Sequence, residues 1–149
     1  MISRALVMLA SAVLLTAAAD NGDERFRLDG GAIHSVAGNG RDRILLPQSA
    51  VANARVSGDG ASVAWLARSN GAQTANKLKL RSHGHTRTIS CEPIIRDFWF
   101  VEGARRIAID CGGEHFAGRE ILYDAETLKE LESFDQATLP ESARPAWAR

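Results

Sequence analysis

Few side chains in this sequence have the reach to bind or react. Four histidines, His34, His83, His85 and His115, are spread along the chain. His83-Gly84-His85 offers two imidazoles, and Glu114-His115 adds a carboxylate and a third ring, so His83, His85 and His115 form one candidate transition-metal site. The competing reading is that both stretches are polar turns, where histidine is unremarkable. The two cysteines, Cys91 and Cys111, lack the Cys-x-x-Cys spacing of a redox or metal pair. In an oxidising compartment such a pair is most simply a structural disulfide.

Catalytic constellations find little support. Ser57-Gly58-Asp59-Gly60 is not the Gly-x-Ser-x-Gly elbow and no helix follows it, so Ser57 reads as a turn residue. A carboxylate pair for glycoside chemistry can be drawn only from Asp59, Glu102, Asp110 and Glu114, which sit at strand ends where acids are commonly solvated. Gly38-Asn39-Gly40 and Gly112-Gly113 lack the strand-to-helix setting of a phosphate cradle. No catalytic residue and no cofactor is assigned, and the reading is non-enzymatic. Arg105-Arg106 with Arg96 is read as a solvated strand edge rather than an anion site.

The elements that must position these residues are short and punctuated by turns. Strand candidates are Phe26–Leu28, Ile33–Val36, Arg43–Leu46, Val51–Val56, Ser62–Ala67, Lys77–Arg81, Thr86–Ser90, Ile94–Phe100, Arg106–Cys111, Arg119–Tyr123 and Leu128–Phe134. Turn signals separate them at Asp29-Gly30-Gly31, Gly38-Asn39-Gly40, Ser57–Gly60, Asn70-Gly71, Ser82–His85, Val101–Ala104, Gly112-Gly113 and Asp124–Thr127. The one helix candidate is Asp135–Arg144. Trp65 and Trp99 fall inside strands and are assigned to the core. Trp147, in the tail 140–149, either packs back or stands exposed as a binding anchor.

From Val51 onward the order of strands and turns recurs. Gly60 and Gly103 correspond at a spacing of 43 residues, as do Leu80 and Tyr123. Val56-Ser57-Gly58-Asp59-Gly60-Ala61-Ser62-Val63-Ala64-Trp65 resembles the Ser-x-Asp-Gly turn of TolB-like and WD-type β-propeller blades. Trp99–Ala108 is similar, and Leu122–Thr127 resembles the strand and turn that close such a blade. Gly58 stands where the pattern has Pro, Glu102 where it has Asp, and the second unit carries one extra turn residue. The resemblance covers about two blades over residues 50–135, with 20–47 a candidate partial third. A closed propeller typically needs at least four blades. The fold class is therefore all-β, antiparallel meanders from two blade-like repeats, arranged as a sandwich or partial propeller after an amino-terminal signal helix. Unpaired sheet edges leave room for association with a protein partner or a second copy of the chain.

The amino-terminus supplies a compartment. One positive charge at Arg4, an apolar run from Ala5 to Leu15, and Thr16-Ala17-Ala18-Ala19 follow the order of a secretory signal, with cleavage expected between Ala19 and Asp20. The alternative is an uncleaved anchor, although the run is short for a span of about 20 residues. Domains are thus residues 1–19 as signal peptide, 20–139 as one extracytoplasmic β-domain and 140–149 as a carboxy-terminal tail. Removing the signal takes away one basic residue, Arg4, from a balance of 18 basic and 18 acidic, leaving −1. Such a balance predicts no nucleic-acid partner, and no further membrane span is expected after cleavage. The expectation is a periplasmic or secreted, non-enzymatic binding or envelope-associated module. Two alternatives remain: a metal-binding protein using His83, His85 and His115, and a small disulfide-stabilised secreted inhibitor or structural protein.

Overall fold

The computed structural model describes residues 24–67 and 76–149. The signal segment with its Ala19–Asp20 junction, and the turn at Asn70-Gly71, lie outside these residues. Among the described residues eleven strands are formed: β1 (Arg25–Asp29), β2 (Ala32–Val36), β3 (Asp42–Leu46), β4 (Val51–Val56), β5 (Ser62–Ala67), β6 (Lys77–Ser82), β7 (His85–Ser90), β8 (Ile94–Val101), β9 (Arg106–Gly112), β10 (Arg119–Asp124) and β11 (Glu130–Asp135). They pair antiparallel in chain order as three meanders, β1-β2-β3, β4-β5-β6-β7 and β8-β9-β10-β11. The all-β class read from the sequence is the class the structure shows. Among the described residues no sheet closes into a barrel.

Burial explains why these sheets stack. After Ser62 the β5 run Val-Ala-Trp-Leu-Ala is apolar without interruption, as a strand covered on both faces should be. Val63 and Trp65 join Phe26 and Ile33 of the first sheet. Ala64 and Leu66 join Leu78, Leu80 and Ile89, and meet Ile95, Phe98, Ile107, Ile109 and Ile121 of the third. The second sheet is thus the middle layer, and its strictly alternating β6 sends Leu78 and Leu80, both fully buried, toward the third sheet. At about 25 cal/mol per Å² of apolar surface, this two-sided burial is the dominant stabilising term.

The far face of the third sheet carries Trp99, Ala108 and Leu122 and is covered by the tail. Trp99 Nε1 donates to the Trp147 carbonyl (2.8 Å), Trp147 Nε1 to Glu132 (2.7 Å) and the Arg149 amide to Glu120 (3.1 Å). Trp147 therefore packs back on the domain instead of standing free. The helix expected at Asp135–Arg144 is not formed. Pro140 and Pro145 hold the tail extended and leave only a single 3₁₀ turn, Glu141–Ala143.

Cys91, in the link from β7 to β8, and Cys111, in β9, are joined as a disulfide with Cα atoms 5.9 Å apart. The repeat register differs from the sequence reading. Leu80 and Tyr123 line the same core from opposite sides, so Leu80 matches Leu122 by face, while Val63 and Trp65 match Ile107 and Ile109. The extra turn residue read from the sequence is not found: the β8–β9 turn (102–105) holds four residues against five in the β4–β5 turn (57–61), and the β9–β10 connection (113–118) is likewise shorter than the β5–β6 one (68–76).

Candidate functional site: the rim of hairpin turns

Meander topology sends alternate connections to opposite ends of the stack. The turns β2–β3, β4–β5, β6–β7, β8–β9 and β10–β11 gather at one rim. The β9–β10 loop and the Cys91–Cys111 bridge lie at the other. Between the second and third sheets, the turn rim opens into a groove of about 540 Å³. Asp59, Ser62, Ser82 and His83 form one wall, and Glu102, Arg105, Asp124 and Glu126 the other.

Each acidic turn residue is held by local chemistry. Asp59 Oδ1 accepts from the Ser57 hydroxyl (2.6 Å) and the Ala61 amide (3.0 Å), which tightens the turn around Gly60 at φ 71°. Those bonds stabilise the ionised form and hold its pKa below the usual carboxylate range. Asp124 Oδ1 accepts from the Thr127 amide (2.7 Å), the Thr127 hydroxyl (2.8 Å) and the Glu126 amide (3.1 Å), and its pKa is lowered for the same reason. The Ala125 amide donates to the Arg105 carbonyl, tying the two turns of the third sheet together. Glu102, itself at φ 52°, pairs with Arg106 at 3.2 Å and Arg105 at 3.5 Å. Ser62 and Ser82 are cross-strand partners and both are buried. The result is a groove lined by four carboxylates, Arg105 and His83, with Arg106 paired to Glu102 and Arg25 bonded to the Asp59 carbonyl at its margin.

The candidate metal ligands are not brought together. His83 and His85 flank the β6–β7 turn on the turn rim, whereas His115 is exposed in the β9–β10 connection at the opposite end. The sequence reading placed them at matching edges. The strand order shows that 113–118 corresponds to the β5–β6 connection and not to the His83 turn. No group of three His, Cys, Asp or Glu side chains able to hold a metal ion occurs among the described residues. The four carboxylates weighed as a catalytic pair are likewise divided, Asp59 and Glu102 at the turn rim and Asp110 and Glu114 toward the other end. Ser57 is engaged within its own turn, donating to Asp59 and accepting the Ser62 amide (3.0 Å).

Arg96 is placed differently from the solvated edge expected of it. It reaches Asp110 (2.6 Å), Gln136 (2.6 Å) and the Phe116 carbonyl (3.2 Å), and so pins the β9–β10 loop to the strand that begins the third sheet. Glu120, 1% exposed, accepts from Gln136 Nε2 (2.9 Å) on the face that the tail covers. The sequence Arg119–Tyr123 reads as a strand, but nothing in it marks Glu120 as a buried acid. No helix among the described residues is long and apolar enough to cross a membrane. A scan of protein-family models finds none that matches this chain, and a search of curated proteins finds no match either.

Proposed function

We propose that this chain is an exported, non-catalytic binding module related to the blades of TolB-like and WD-type β-propellers, with the turn rim as its recognition surface. The observation that carries the reading is the acidic groove between the second and third sheets, whose carboxylates are presented by rigid turns. Preorganised charges lower the ordering cost of association, and a groove of this sign suits a protein segment carrying Lys or Arg. Kinship to propeller blades is supported by three meanders stacked face to face in chain order. It is further supported by the first strand of each: Leu28 of β1, Ala54 of β4 and Trp99 of β8 line one common surface. Export is supported by the Ala5–Leu15 run before Ala17 and Ala19 and by the disulfide.

Panning a random peptide library against the immobilised domain tests the binding role. The wild type is expected to enrich Lys- and Arg-containing peptides, and an E102K/E126K variant, altered at exposed positions, is expected to lose that enrichment. Enrichment that ignores the charge reversal, or none with either protein, refutes the reading. Export is checked separately by the intact mass of protein recovered from the extracytoplasmic fraction, which must lack residues 1–19.

A further inference from the structure

A second cavity, of about 380 Å³, lies between the first and second sheets and is lined by arginines from three elements. Arg43 comes from β3, Arg41 from the β2–β3 turn and Arg81 from β6, which sits beside Val63 on the face turned to the first sheet. Arg81 is largely enclosed, with its side chain 19% exposed, whereas Arg41 and Arg43 are exposed and can turn toward a ligand at the mouth of the cavity.

One carboxylate of the chain already occupies part of this space. Glu24, 11% exposed, accepts from Arg81 Nε (3.1 Å) and Nη2 (3.2 Å) and from the hydroxyl of Ser35 (2.5 Å), a residue only 3% exposed. Arg43 approaches the same carboxylate at 3.6 Å, and Arg41 has no ion-pair partner among the described residues. The cavity therefore already shows how it holds an anion: an arginine fork from one side and a buried hydroxyl from the other. Among the described residues, one carboxylate stands against three arginines, which leaves two positive charges.

From this geometry we infer that the cavity is a binding site for a small dianionic oxyanion, a phosphate or sulfate group, held mainly by Arg41 and Arg43 with Asn39 beside them. Glu24 fixes Arg81 and limits the affinity by its own negative charge. The same chemistry is offered by free inorganic phosphate or sulfate and by a phosphate ester on a larger molecule. This site is separate from the acidic groove and stands whether or not that groove binds a peptide.

Titration of the signal-free, disulfide-bonded domain with inorganic phosphate, sulfate and phenyl phosphate at low ionic strength, followed by amide chemical shifts, tests the inference. Saturable shifts centred on residues 35–43 and Arg81 are expected, with a dissociation constant on the order of 1 mM. In R41Q/R43Q, which alters outward-reaching side chains, affinity is expected to fall about tenfold or more, with thermal unfolding unchanged. In E24Q it is expected to rise several-fold, since one opposing charge is removed. Tighter binding of phenyl phosphate than of inorganic phosphate assigns the site to esters, and the reverse order to the free ion. Unsaturable shifts in both wild type and E24Q, or binding undiminished in R41Q/R43Q, overturn the proposal. Binding confined to E24Q also overturns it, because the native cavity would then be filled by its own glutamate.

Discussion

Reducing the Cys91–Cys111 bridge should cost this domain about 3 kcal/mol and leave it folded. The bridge spans 20 positions of sequence, and loop-closure entropy for a loop of that length gives about 3 kcal/mol at 25 °C. The native geometry does not rely on the sulfurs alone. The Cys91 amide donates to the Asn76 carbonyl (3.0 Å), Asn76 Nδ2 donates to Glu92 (2.7 Å), and Cys111 is a cross-strand partner of Ile95. The link from the second to the third sheet is held in place by these contacts, so the bond acts mainly on the unfolded chain. Unfolding entropy of about 2.1 cal/mol/K per residue over about 130 residues converts 3 kcal/mol into a fall of about 11 °C in Tm.

The measurement is a pair of thermal scans by circular dichroism, with and without a phosphine reductant, and the same scan on C91A/C111A. A fall of about 11 °C on reduction, with the folded baseline unchanged, is the expected outcome. The alanine variant should fall a little further because it also loses sulfur packing at Cys91, a core position. A fall below about 3 °C refutes the loop-entropy reasoning. Loss of the folded baseline at room temperature on reduction refutes the claim that the stacked core suffices, and favours a small secreted protein held together by its disulfide.

Two further outcomes follow from the tail and the turns. W147A removes the ring packed 5.6 Å from Phe134 and the hydrogen bond to Glu132, and uncovers Trp99, Ala108 and Leu122; the urea midpoint should fall by the equivalent of about 2 kcal/mol. An unchanged midpoint would mean that the tail adds nothing to the third sheet. Asp59 and Asp124 have folded pKa values below their unfolded ones, so their contribution is complete above the ordinary carboxylate range. It is lost as pH falls through the lowered values. Tm should therefore drop between about pH 5 and pH 2 more steeply in wild type than in D59N, and parallel curves would refute the assignment.

Local alternation made the strands legible from sequence. Lys77-Leu78-Lys79-Leu80-Arg81 and the two-sided run Ser62–Ala67 announced both their conformation and their burial, and the glycines at 30, 40, 60 and 103 marked turns that do take positive φ. What sequence could not supply was the order in which faces meet. A spacing of 43 residues aligned Leu80 with Tyr123 because it counted residues, whereas unequal strand and loop lengths in the two sheets changed which side of the sheet each residue occupies. The same blindness placed His115 beside His83, since only strand order tells which connections share a rim. Glu120 and Gly118 are unremarkable in sequence, and Arg96 reads there as part of a solvated edge. Their roles come from long-range closeness: a Cβ at Gly118 would lie 2.5 Å from both Arg96 Nη2 and the Cys111 carbonyl oxygen.

A stack of three sheets that does not close leaves two outer faces, and the chain covers them by different means. On the third sheet the apolar row Trp99, Ala108 and Leu122 receives the tail, with Arg149 over the Trp99 ring at 4.9 Å and Arg144 over Phe134 at 5.8 Å. On the first sheet charge replaces cover. Arg27 bonds Asp42 (2.5 Å) and Asp29 (3.1 Å), His34 bonds Asp42 (3.1 Å), and these arginine contacts, with His34 adding less, hold the Asp42 pKa below its ordinary value. A network of paired charges resists desolvation, so a further sheet added to that face would leave ions buried at high cost. Extension of the stack thus meets an apolar face already filled at one end and, at the other, a face of paired charges that also carries the exposed Ile44 beside His34. On the proposed reading, binding falls instead to the grooves between the sheets, which open where the turns lie. Those two grooves differ in sign, acidic between the second and third sheets and basic between the first and second, so one rim presents opposite charges to its surroundings on either side of the middle sheet.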